Sequence, residues 1–249
     1  ADCALTLAAI AGHDKNDPFT RDAPVPDYVS HLTGDIEGLK IGVIEERIAN
    51  GTVDPEIRDA ITNAISVLEN LGAIIVNISV PMMVHSAIIS SAIIASDAAS
   101  LNTDNIATNL DVFDHNNQIR MLMGSILPGV AYQKAIKLRA LLRDQIIDTF
   151  KQVDLLLMPT SSIPSPLIPN KAGLSNKQEV IDAFSGRRNF TAPFNLAGNP
   201  AISINCGFTN TGLPIGLQIA GQPFDEVTVF RVAHAYEQST EWHKRMPPI

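Results

Sequence analysis

The hydroxyl triplet Thr160-Ser161-Ser162 directly follows the apolar run Val153-Asp154-Leu155-Leu156-Leu157-Met158-Pro159. If that run is a buried strand, the triplet emerges at a sheet edge, where a serine could act as nucleophile. A serine needs a base within hydrogen-bond reach, and nothing adjacent in the sequence supplies one. Between Pro159 and Pro164 the same hydroxyls are equally suited to satisfying backbone groups of a tight loop. Histidines at 13, 31, 85, 115, 234 and 243 include no pair four apart, so spacing builds no zinc site, and neither metal nor cofactor is expected. His234 reads as a packed core histidine rather than a base. Cys3 and Cys206 are isolated thiols in apolar settings, and Cys206, with no neighbouring cation, reads as structural. Acidic residues such as Asp59 and Glu69 read as a solvated helix face. No two glycines are adjacent, and the phosphate-cradling loop, the dinucleotide fingerprint and the glycine-flanked serine elbow are all missing.

These groups must be positioned by alternating strands and helices. Residues 1–12 have a helical apolar pattern, with Asp2 as a cap and Gly12 as a stop, beginning so abruptly that the chain reads as cut from something longer. The arm 13–38 is broken by Pro18, Pro24 and Pro26. Leu39–Ile44 reads as a buried strand. Asp54-Pro55 then starts a helix that presents Ile57, Ala60, Ile61, Ala64, Ile65, Leu68 and Leu71 on one face and stops at Gly72. With a second strand over 73–80 this forms a βαβ unit, implying parallel pairing. Met82–Leu101 reads as an all-round apolar helix buried in the layer, and 102–117 as polar and irregular. A helix over 132–150, anchored by Ile136, Leu141, Ile146 and Ile147, leads into the apolar run before Thr160. A proline-rich loop over 160–173 and a short helix near 178–184 follow. Strands 201–208 and 213–220 form a hairpin, and a last helix over 225–239 turns Val229, Val232, Ala233 and Tyr236 inward.

Composition narrows the function classes. The 249 residues are 45% hydrophobic and 18% charged, ordinary globular usage, with no repeat or linker that divides the chain. The net charge of −8 and scattered lysines and arginines offer no basic face, so direct nucleic-acid binding is not expected. Met82–Leu101 carries His85, Asp97 and several serines, which argues against a membrane span. Two unpaired thiols and the absence of a signal-like start point to a reducing, cytoplasmic setting.

Several segments together carry a resemblance. Ala1-Asp2-Cys3-Ala4-Leu5 leading to Ile10-Ala11-Gly12-His13-Asp14, Leu39-Lys40-Ile41-Gly42-Val43, Val153 to Thr160, Asn195-Leu196-Ala197-Gly198-Asn199-Pro200-Ala201-Ile202-Ser203, Gly212 to Ile219 and Trp242-His243-Lys244-Arg245-Met246-Pro247-Pro248 resemble, in order, the carboxyl-terminal half of amidase signature enzymes. The resemblance implies an α/β fold, a mixed β-sheet flanked by helices on both faces, with residues 1–249 forming the carboxyl-terminal portion of a single domain. It implies hydrolysis of carboxylic amides by a serine nucleophile, a second serine with a cis peptide bond, and a lysine, in place of a histidine and carboxylate.

In the family that triad lies in the amino-terminal half, and no residue here matches it, so no catalytic residue is carried over. The resemblance extends to substrate-pocket lining by Thr160, Thr191 and Asn195, each equally placed to be a loop or capping residue. The implied partners are a small amide substrate and a missing amino-terminal half, from the same gene or a separate chain, with a homo-oligomer left open. The chain alone is then expected to be inactive. The alternative is a complete non-catalytic binding or assembly module derived from an amidase, against which stand the abrupt first helix and a sheet edge left bare.

Overall fold

The computed structural model describes residues 1–49, 51–168, 173, 179 and 190–245. Its framework is the βαβ unit expected from the sequence. Strand β1 (Lys40–Ile44) runs parallel to β2 (Ile74–Ile78) through helix α2 (Pro55–Asn70), whose first turn is capped by Asp54 accepting from Glu56 N at 2.9 Å. Pro55 holds the first helical position, where its missing N–H costs nothing. Ile57, Ile61, Ala64 and Leu68 of α2 are buried, the helix-period face legible in the sequence.

Strand β3 (Leu155–Pro159) lies parallel to β1 on one side and antiparallel to β5 (Pro214–Gly221) on the other. Strand β4 (Ala201–Phe208) closes the hairpin with β5, giving the order β2-β1-β3-β5-β4. All five β3 residues are buried, which requires cover on both faces of the sheet. Helix α2 and helix α8 (Glu226–Gln238), with Val229, Val232, Ala233 and Tyr236 turned inward, pack on the strands. Helices α3 (Ser86–Leu101), α6 (Gly129–Thr149) and α7 (Ala192–Ala197) pack on one another and join the same core. The remaining helices are α1 (Asp2–Ile10), α4 (Thr103–Thr108) and α5 (His115–Ile126).

The structure departs from the sequence reading at several places. Asp2 gives α1 no cap, since the N-cap is Ala1 with no side-chain bond, and the helix stops at Ala11 rather than Gly12. Residues 81–85 form a tight 3₁₀ turn before α3, and α3 is not sunk in the layer: Ile88 is 63% and Leu101 84% exposed. By length and composition Pro81–Leu101 could cross a bilayer, and only 28% of its apolar 18-residue stretch is buried. Its polar groups are divided between protein and solvent, with His85, Asp97 and Ser100 exposed. Ser86 is buried and Asp97 accepts from Tyr132 Oη at 3.3 Å. The stretch read as irregular holds α4 and the start of α5, the latter capped by Asp114 accepting from Asn116 N and Asn117 N. In α6 the anchor is Leu142, not Leu141, which points outward. Cys3 is exposed rather than in an apolar setting. The helix expected near 178–184 lies outside the described residues.

Candidate functional site

The apolar run before Thr160 does form a central buried strand, so the hydroxyl triplet leaves the carboxyl end of β3. Thr160 continues the ladder by one rung, its N–H donating to Gly216 O at 2.9 Å. Its Oγ1 lies 2.6 Å from Ser203 Oγ on β4, a side-chain pair spanning the width of β5. Gly216 makes this pairing feasible. A Cβ there would come within 2.7 Å of Thr160 Oγ1 and 2.8 Å of Ser203 Oγ, closer than real contacts allow.

Phe190 links this pair to the next segment. Its N–H donates to Thr160 O at 3.0 Å, and its carbonyl accepts from Nε2 of the buried Gln218 at 3.3 Å. Thr191 is therefore held beside Thr160 and half-buried, at the N-cap of α7, to which its side chain gives no capping bond. Asn195 is exposed, and it lies within α7 rather than ahead of a turn as the sequence suggested. Helix α7 is six residues long and cannot hold itself. Gly198 ends it in the left-handed region at φ 78, and the carbonyls of Leu196 and Ala197 accept from Arg139 Nε at 2.7 Å and Arg143 Nε at 3.0 Å of α6.

The structure thus bonds Thr160 to Phe190, the residue before Thr191, and sets Asn195 one helical turn beyond Thr191. Ser203 opens onto a cleft of about 650 Å³ between α1, the start of β4 and α8, lined also by Leu7, Ile10, Val229 and Phe230. Thr160, Thr191 and Asn195 do not line that cleft themselves. Ser161 Oγ donates to Ile163 O at 2.8 Å, and the backbone carbonyl of Ser162 accepts from Asp54 N at 2.8 Å. The Thr160–Ser203 pair can donate one hydrogen bond and accept others, which suits orienting a polar ligand group.

Ser203 escaped the sequence reading, although polar Ser203 and Asn205 alternate with Ile202 and Ile204, the mark of an outward strand face. Cys206 is buried, as expected of a structural thiol, and burial pushes it up to about 12. Among the described residues no group of three metal-ligating side chains gathers.

With this geometry in place, the chain compares closely with known proteins. A family model described as Amidase matches residues 1–230. The chain belongs to the amidase family. It is 36% identical over 273 residues to the glutamyl-tRNA(Gln) amidotransferase A subunit of Geobacter metallireducens, covering 100% of this chain and 55% of that protein. The crystal structure of the corresponding subunit from Thermotoga maritima superposes with a TM-score of 0.75 at 30% identity, covering 95% of this chain and 50% of that one. A bacterial aryl acylamidase of the amidase signature enzymes shares the fold, with a TM-score of 0.81 at 22% identity over 98% of this chain and 52% of that one. The mixed sheet with helices on both faces is thus an amidase fold, and the chain spans about half the length of the curated amidase relatives it matches.

Proposed function

We propose that this chain carries part of a site that cleaves carboxylic amides, with Thr160, Thr191 and Asn195 on its substrate side. The observation that carries this reading is the match of residues 1–230 to the amidase family model. The joined Thr160–Phe190–Thr191 segment at the carboxyl end of β3 supports it, because ligands of α/β sheets gather at strand carboxyl ends. In this reading residues 1–249 form a portion of one amidase domain. The serine nucleophile, the second serine and the lysine are supplied by polypeptide outside them. The substrate is a small amide, attacked by serine and requiring neither metal nor cofactor, and water completes the hydrolysis.

Ammonia release from a panel of simple amides, glutamine included, tests this proposal. The purified chain alone is expected to release none above the buffer rate. Release is expected once the complementary amidase half is supplied, and Thr191→Ala is then expected to raise KM. Hydrolysis by the isolated chain that disappears in Ser161→Ala would place the nucleophile here instead. No release from the assembled protein on any amide would overturn the reading.

A further inference from the structure

A cleft of about 730 Å³ lies between α2, the end of β4 and the 3₁₀ turn Trp242–Lys244 that follows α8. Helix α2 lends it one stripe, since Glu56, Asp59 and Asn63 recur at spacings of three and four. Two aromatic rings line it as well, Phe208 and Trp242, with centroids 6.2 Å apart and an interplanar angle of 57°. A space of this size is within the range of small-molecule sites. Thr160, Thr191 and Asn195 do not line it.

The lining carries three carboxylates, Glu56, Asp59 and Glu241, against one guanidinium, Arg245. These charges do not neutralise one another. Glu241 is paired with Lys244 Nζ at 2.7 Å, and Glu56 accepts from Asn210 N at 2.8 Å and Asn210 Nδ2 at 2.9 Å, both neutral donors. Among the described residues neither Asp59 nor Arg245 forms an ion pair. The Arg245 guanidinium lies instead over the Phe208 ring, its carbon 4.2 Å from the centroid. One ring face of the cleft thus already takes a cation, while the α2 carboxylates keep uncompensated negative charge.

We propose that this cleft binds a primary organic ammonium ion with an aryl body, the ammonium held by Glu56 and Asp59 and the body by Trp242. An ammonium offers three donors, and two carboxylates that are neighbours on one helix face accept them. The aryl body gains contact with the indole that a hydrated metal ion does not, and among the described residues no three metal-ligating side chains gather. An anion drawn to Arg245 would meet three carboxylates of its own sign. The inference concerns binding by this chain and is independent of whether amides are hydrolysed.

Trp242 is the only tryptophan in the sequence, so its fluorescence reports on the cleft directly. The test is titration of the full chain at neutral pH with 2-phenylethylamine, with 2-phenylethanol, phenylacetate and sodium chloride at matched ionic strength in parallel. A saturable change in fluorescence is expected with the amine, together with a rise in melting temperature, and none of the other three should reproduce them. Asp59 and Arg245 are both exposed, so variants at either are expected to stay folded. Asp59→Asn is expected to weaken binding about threefold and Arg245→Met, which removes a like charge, to tighten it about threefold. The proposal is overturned if neither reading saturates, if the alcohol or the acid reproduces them, if Asp59→Asn binds as tightly as the parent chain, or if Arg245→Met fails to bind more tightly.

Discussion

Gly216 and Cys206 set local constraints that can be tested directly. Gly216→Ala forces a methyl group into the space held by Thr160 Oγ1 and Ser203 Oγ. The expected cost is about 1–3 kcal/mol, read from urea denaturation, with the two hydroxyls pushed apart. Burial raises Cys206 from its ordinary 9.0 to about 12, and burial together with the nearby Cys206 raises Tyr236 from 10.0 to about 12. In both, the neutral protonated form belongs to the fold, while the unfolded chain releases these protons from about pH 9 upward. Stability is therefore complete below pH 9 and is lost between roughly pH 9 and 12, on the order of 1.4 kcal/mol for each tenfold difference in proton affinity between the folded and unfolded chain. Unfolding midpoints measured from pH 8 to 11 are expected to fall, and Cys206→Ala to flatten the fall. A thiol reagent at neutral pH is expected to label exposed Cys3 and to spare Cys206 until the chain is denatured. Thr160 was legible in the sequence because its signal is local, a hydroxyl after an apolar run. Its partner Ser203 was not, because the two meet only once β5 has been laid between them.

Local chemistry explains which elements could be read from the sequence. Helix α2 announces itself through Asp54, Pro55, its apolar face and Gly72, and the structure uses all four. Asp54→Ala is expected to cost about 1 kcal/mol in thermal denaturation, since Pro55 preserves the first turn while a donor loses its acceptor. Helix α5 gives no comparable signal, for its sequence opens on His115-Asn116-Asn117-Gln118 and buries Met121 alone. Helix α3 misleads, because apolar composition reports what a helix could bury rather than what covers it. Helix α7 is too short for any periodicity, and what holds it is the pair of guanidinium donors from α6. Arg139→Met with Arg143→Met is expected to speed amide exchange around 195–198 and leave β3 protected, as hydrogen exchange would show.

Among the described residues, exposed large apolar side chains are spread along the chain, and those on α3, α5 and the start of α6 include Ile88, Leu101, Leu122, Ile126 and Val130. Exposed apolar side chains on these three packed helices favour association, which a net charge of −8 opposes. Sedimentation velocity of the isolated chain is expected to show concentration-dependent association. Ile88→Lys with Leu101→Lys should reduce it while changing stability by less than about 0.5 kcal/mol, since both side chains are already in water.

Strand β3 is the place where the sheet changes polarity, and its partners lie at very different distances along the chain. Lys40 N–H donates to Asp154 Oδ2 across 114 residues, whereas β4 and β5 meet through a tight turn. During synthesis, at about 5–20 residues per second, β1 therefore leaves the ribosome roughly 6 to 23 s before the strand that will cover its open side. Once β2 has followed, the β1–β2 pair is expected to leave Ile41 and Val43 without their β3 neighbours until β3 is made. A translation pause placed between α2 and β3 would lengthen this exposure, making it the window in which a trigger-factor-like holdase has most to protect.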